Sequence, residues 1–217
     1  MKKGNNYKKV ELRDYKFKEL DEFNIKTDNN IELSKITEGK KISIISDVMF
    51  KTMFQNTSRL KYSCFLISNF IEVDYDDLLD NLVLVSNELD KDKVSSKAER
   101  CDYVANINGA LINIEINNRS SRKVIERNID YVVREYSSNI KSGEDYNYTQ
   151  SIQINLNNFY YEGRDNIIEY YTLSDDSGVA LTSKIIIVNV YLPLLRKKWY
   201  TLGTEGLNEL EKYLLMI

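Results

Sequence analysis

The dipeptide Asn108-Gly109 constrains this chain more than any other feature. It lies between two runs that alternate apolar and polar residues, Cys101 to Ile107 and Ala110 to Asn117. Asn-Gly between alternating runs specifies a tight hairpin, because a two-residue type I′ turn needs positive φ at both central positions. With these two residues as the turn, paired positions have numbers that sum to 217, so Ile107 faces Ala110, Ala105 faces Ile112 and Tyr103 faces Ile114. Those six residues make one apolar face. On the other face Val104 meets Asn113, Asp102 meets Glu115 and Arg100 meets Asn117.

Two carboxylates therefore stand opposite each other, with Cβ atoms about 4.5–5.5 Å apart. At an effective dielectric of about 20 they repel by about 3 kcal/mol, more than a good cross-strand pair contributes. Something must offset this. A hard divalent cation bound by carboxylate oxygens would do so, as would a shared proton. So would a nearby cation, with Lys97 and Arg100 available. Asn117 lies two residues beyond Glu115 on the same face. Its amide can orient a water or touch a phosphate, and the plainer reading is a polar strand end.

The rest of the chain organises around this hairpin. Residues 1–41, rich in Lys, Asp, Glu and Asn, read as an N-terminal arm, either flexible or laid on the domain as a cap. The folded domain spans 42–217. Helices are predicted over 46–56, where Met49, Phe50, Met53 and Phe54 repeat at helical spacing, and over 58–70. A short strand at 82–85 and a polar loop at 87–98 precede the hairpin. A long helix is expected over 120–140, its apolar residues Ile125, Ile129, Val132, Val133, Tyr136 and Ile140 packed on the sheet and Gly143 closing it. Arg127, Tyr131 and Arg134 lie off that apolar face. They can meet a phosphate backbone or simply form a solvated face. Strands follow at 150–156, 166–173 and 184–192, the last ended by Pro193, and an amphipathic helix covers 207–215. This is an α/β domain with a mixed central sheet flanked by helices.

The sequence contains no histidine, which removes Ser-His-Asp and Cys-His nucleophiles and histidine bases. The two cysteines, Cys64 and Cys101, are too few for a zinc site without histidine and read as small buried hydrophobes in a reducing compartment. Gly178 to Lys184 lacks P-loop spacing. No apolar run spans a bilayer and no signal peptide opens the chain, so the protein is read as cytoplasmic. A net charge of -3 excludes a wholly basic nucleic-acid binder but not a local basic stripe.

Five segments, in order, carry a resemblance. They are Asp47-Val-Met-Phe-Lys51-Thr-Met-Phe54, Arg100-Cys-Asp102-Tyr-Val, Ile114-Glu115-Ile-Asn117, Arg127-Asn-Ile-Asp-Tyr131 and Gly143-Glu-Asp-Tyr146. Together they resemble the PD-(D/E)XK nuclease superfamily, in its Rpn or transposase-associated branch of recombination-promoting nucleases. The resemblance implies a restriction-endonuclease-like fold and Mg²⁺- or Mn²⁺-dependent hydrolysis of DNA phosphodiester bonds. Asp102 and Glu115 would hold the metal, with Asp47 assisting. Asp102, Glu115 and Asn117 would form the catalytic set, and Lys51, Arg127 and Tyr131 would bind substrate. Asn117 departs from the pattern, which has Lys in the superfamily and often Gln in this branch. A basic side chain would then have to reach in from elsewhere, with Lys97, Arg119 and Lys123 as candidates. Such proteins continue with more helical sequence, so the resemblance implies a C-terminally truncated chain. No small-molecule cofactor is expected, and a homo-oligomer is left open. The rival readings are a degenerate relative that binds DNA or protein without cutting, and a structural module whose carboxylates are solvated or each paired with Arg or Lys.

Overall fold

A computed structural model describes residues 20–26, 47–85, 101–138 and 148–217. Among them the chain forms strands β1 (Ile25–Lys26), β2 (Val83–Leu84), β3 (Tyr103–Ile107), β4 (Ala110–Asn117), β5 (Ser151–Asn157), β6 (Tyr160–Tyr161), β7 (Ile168–Thr172) and β8 (Ile185–Tyr191). The helices are α1 (Asp47–Phe54), α2 (Leu60–Ser68), α3 (Tyr75–Asn81), α4 (Arg122–Ser138), α5 (Leu192–Leu202) and α6 (Glu209–Leu215). Six strands make one mixed sheet in the order β2-β3-β4-β5-β8-β7, and β1 pairs separately with β6.

The hairpin has the expected register, Tyr103 against Ile114 through Ile107 against Ala110. Asn108 (φ 51°) and Gly109 (φ 90°) both adopt the positive φ that a type I′ turn requires. From β4 the chain crosses over through α4 to β5, which runs parallel to β4, and β5 in turn pairs parallel with β8.

The two faces of the sheet differ sharply. One is apolar: Tyr103, Ala105, Ile112, Ile114, Ile152, Ile154, Leu156, Val188 and Val190 form a single core with residues of α1, α2, α3, α5 and α6. The other carries Asn113, Glu115, Asn117, Gln153, Asn155 and Asn157, all buried. Helix α4 lies on this side, in contact with β4, β5 and β8.

Here the structure corrects the expectation for α4. The helix buries Asn128, Tyr131, Val132 and Glu135, whereas Ile129 and Val133 remain 47% and 45% exposed. A helix laid on a row of amides and a carboxylate turns its polar side inward, because buried polar groups need partners. Tyr131 is therefore buried, not part of a solvated stripe. Arg134 pairs with Asp130 one turn earlier at 2.8 Å.

Two helices fall where none is expected. In α3 the Asp74 side chain caps the first turn by accepting from the Asp76 amide. In α5 Pro193 stands in the first turn, where its missing N–H costs nothing, so it opens a helix as well as closing a strand. Within the expected arm, Leu20 and Phe23 pack against a cluster of Phe159, Tyr161, Tyr191 and Leu194. The polar loop at 87–98, Ile140, Gly143 and Tyr146 lie outside the described residues.

A Cβ at Gly109 would meet Cγ2 of Thr149 at 3.3 Å in a backbone conformation that L residues avoid. Gly109→Ala should lower the unfolding free energy by about 1–2 kcal/mol in urea denaturation. Asn108→Gly should be nearly silent. Equal stability of Gly109→Ala and the parent would count against this turn.

Candidate active site

The open end of the β3–β4 hairpin is closed by side chains instead of backbone. Asp102 lies one residue before the first ladder pair. Its amide N–H donates to Oε1 of Glu115 at 2.8 Å. In return, the Ile116 amide donates to Oδ2 of Asp102 at 3.0 Å. Each carboxylate thus caps the opposite chain, and the two acids are held side by side as the hairpin register requires. Just past the end of α1, the Gln55 side-chain amide donates to the Asp102 carbonyl at 2.6 Å and fixes the approach of that helix.

The second oxygen of each acid faces a cation. Lys51 Nζ, from α1, lies 3.7 Å from Oδ1 of Asp102, and Arg127 Nη2, from α4, lies 3.6 Å from Oε2 of Glu115. Protein cations therefore contribute to relieving the repulsion, as one expected compensator required. Both separations exceed the roughly 2.7–2.9 Å of a charge-assisted hydrogen bond. The offset is incomplete. Burial first, and then the charge of Asp102, push the Glu115 carboxyl up to about 8, against the Asp102 amide and Arg127, which pull it down. A site that keeps a buried acid so reluctant to ionise suits an additional positive charge.

The donor set fits a hard divalent ion. Mg²⁺ is held by oxygen, commonly one or two carboxylates, with water and phosphate completing its shell. Among the described residues no group of three or more Asp, Glu, Cys or His converges on one point; the paired acids there are Asp102 and Glu115. Asp47 opens α1 one turn before Lys51.

Asn117 ends β4 beside Asn157 at the end of β5. Its amide nitrogen donates to Oδ1 of Asn157 at 3.0 Å, and its oxygen accepts from Arg127 Nη2 at 2.7 Å. The guanidinium of Arg127 also lies 5.6 Å from the Tyr131 ring centroid. The fold thus brings together Lys51, Asp102, Glu115, Asn117, Arg127 and Tyr131. Among the described residues the cation that reaches Asn117 is Arg127; Arg119 and Lys123 are exposed, and Lys97 and Arg100 lie outside the described residues.

Sequence reasoning missed two residues of this face. Asn157 orients Asn117. Glu135, on α4, is buried and accepts from Ser151 Oγ at 3.2 Å, and burial pushes its carboxyl up to about 8. The clue was the strict alternation of Ser151-Ile-Gln-Ile-Asn-Leu-Asn157, where every polar position is buried. Cys64 and Cys101 are buried thiols that form no disulfide among the described residues, as expected. Among the described residues no helix is long and apolar enough to cross a membrane.

A family model described as PD-(D/E)XK nuclease family transposase matches residues 44–217. No curated protein matches the chain, and no solved structure does.

Glu115 and Glu135 each hold protons more tightly folded than unfolded, where a glutamate titrates near 4.5. Stability from such a group is complete below the unfolded value and is lost as pH rises to the folded one. The unfolding free energy should therefore fall, by on the order of a few kcal/mol, between pH 5 and pH 8. Urea titrations across that range should show the decline, and Glu115→Gln and Glu135→Gln should each flatten it. A profile equally steep in both variants would contradict the assignment.

Proposed function

The chain belongs to the PD-(D/E)XK nuclease transposase family, and from that premise we propose that it is a Mg²⁺- or Mn²⁺-dependent DNA endonuclease of the mobile-element or recombination type. Its mixed sheet flanked by helices is the restriction-endonuclease-like arrangement of such nucleases. The observation that carries the reading is the reciprocal clamp between Asp102 and Glu115, with Glu115 almost fully buried.

In this reading Asp102 and Glu115 hold the metal, with Asp47 as a further carboxylate from the start of α1. The ion supplies Lewis acidity, offsetting negative charge that gathers on the scissile phosphate. Asp102 is the less buried of the two acids and Glu115 the more buried, so the pair would offer a bound ion oxygens at the edge of the protein interior. Lys51 and Arg127 flank the acids from α1 and α4 and attract the phosphate backbone. Tyr131 lies beneath Arg127 and limits its rotamers. Asn117 is a neutral amide that neither gains nor loses a proton at physiological pH; its part is to orient. The substrate is DNA, the compartment is the cytoplasm, and a homo-oligomer is compatible with the fold.

The competing reading is a relative that binds DNA without cutting it. One observation favours it: both ends of the Asn117 amide are engaged within the protein, where the superfamily pattern has a lysine. Plasmid nicking separates the two. With Mg²⁺ or Mn²⁺ the protein should relax supercoiled plasmid, and Asp102→Asn or Glu115→Gln should reduce the rate by about 100-fold or more. Mn²⁺ should bind calorimetrically to the parent and not to either variant. Intact plasmid under both metals, with no heat of Mn²⁺ binding, would refute the enzyme reading.

A further inference from the structure

Strand position 117 carries an amide, and α4 delivers a cation, Arg127, beside that amide and Glu115. We propose that Arg127 grips a non-bridging oxygen of the scissile phosphate from α4, and that Asn117 and Asn157 are the positioning residues that aim it. The inference rests on the nuclease reading above and deepens it.

Three observations support it. First, the guanidinium is already delivered to the acids. Arg127 Nη2 lies 2.7 Å from Asn117 Oδ1 and 3.6 Å from Glu115 Oε2. A cation projecting from position 117 would occupy the same neighbourhood, two residues beyond Glu115 on the same strand face. Second, the orientation of Asn117 is imposed from behind. Its nitrogen is committed to Asn157 Oδ1 at 3.0 Å, so only its oxygen is presented to Arg127. Reversing the amide would set two oxygens against each other at Asn157 and a nitrogen against the guanidinium. Third, the Nε–H of Arg127 is buried and meets no acceptor among the described residues. An unmet buried donor is costly, and the Arg127 side chain as a whole is 37% exposed, so its guanidinium stays within reach of a ligand. The planar guanidinium fork, with one edge anchored and another donor unmet, suits a tetrahedral anion with several oxygens.

Arginine at this place differs from lysine in what it can do. It stays protonated throughout the working range, so it stabilises charge and orients oxygens but does not pass a proton to or from water. The amide relay confers what the helix alone lacks, a fixed azimuth for a long side chain.

The test is a charge relocation in the full chain, on a duplex oligonucleotide. R127Q should cut kcat by about 100-fold, as loss of one preorganised donor does. In Ca²⁺, which binds without supporting cleavage, it should lower the salt slope of DNA binding by about one phosphate contact. Mn²⁺ should still bind calorimetrically, since both carboxylates remain, which separates loss of the phosphate contact from loss of the metal site. Moving the charge back to the strand in N117K/R127Q should restore at least about tenfold of the kcat lost in R127Q, although the relay is then gone. N157L should lower kcat with unchanged Mn²⁺ affinity, and N157D, which keeps the acceptor for Asn117, should recover most of it. Melting curves on every variant separate misfolding from misaiming, and R127K serves as a charge-preserving control where R127Q proves unstable. The proposal is overturned by R127Q and R127K cleaving at the parent rate with an unchanged salt slope, or by N117K/R127Q no better than R127Q. Those results leave the nuclease reading intact. Failure of that reading is a different outcome: a parent protein that neither cleaves nor binds Mn²⁺.

Discussion

Two backbone amides bind two carboxylates across the open end of a hairpin, and the rest of the site depends on that exchange. Asp102 N–H holds Glu115, and Ile116 N–H holds Asp102. Neither bond belongs to the regular ladder, which begins at Tyr103. Each satisfies an oxygen that burial would otherwise leave unpaired, and each removes a rotamer from an acid that electrostatics would drive away from its neighbour. The type I′ turn at the far end fixes the register that makes the exchange possible, since a slip of one residue would send Glu115 to the apolar face. The position of the acids is thus determined by a turn five residue pairs away.

Behind the acids lies a buried sheet face built from amides. Asn113 donates to Gln153, Gln153 to Asn155 and Asn155 to Asn189. The direction continues through Tyr191 to Glu169, which also accepts from Tyr171 and Arg164. Every donor in the row points toward one carboxylate, so the orientation of each amide follows from its neighbour's. Such a network stabilises little on balance, but it penalises misaligned strands heavily. It gives the face carrying Glu115 and Asn117 a single arrangement, which a site of this kind needs from the residues around it. The apolar face and its helices supply most of the burial, and the amide face supplies the alignment.

What the sequence disclosed follows the same division. The hairpin, its register and the pairing of Asp102 with Glu115 were legible because turn chemistry and alternation are local. The strands β5, β7 and β8 were legible for the same reason. The orientation of α4 was not. Its apolar residues at helical spacing argued for packing on an apolar sheet, but the sheet presents amides there, and Ile129 and Val133 point outward instead. Alternation in β5 marked a polar face without saying that a helix covers it, which hid Asn157 and Glu135. Helices α3 and α5 are short and begin at Asp74 and within a turn of Pro193, signals that also mark turns. The candidates for a replacement cation were sought near the strand in sequence, at Arg119 and Lys123. The residue that arrives is Arg127, one helical turn further along, because the crossover folds α4 back over β4.

An acidic protein offered as a DNA enzyme raises an electrostatic difficulty, since the chain carries a net charge of -3. The charge count of the site resolves it locally. Asp102 and Glu115 are matched by Lys51 and Arg127, so the four side chains cancel when both acids are ionised. In the proposed function a divalent ion added to this neutral set leaves two positive charges in a partly buried pocket, where screening by salt is weak. The metal would then be both a reagent and the source of the field that recruits the phosphate. Beside meeting the phosphate, the cations would have a second task, to keep Glu115 ionised enough to receive the metal. Burial and Asp102 hold its carboxyl near 8 even with Arg127 beside it, and without that arginine a proton would compete still more strongly for the same oxygens. On that proposal, binding of the ion and release of a proton from Glu115 would be linked, and the site would favour the metal as pH rises toward 8.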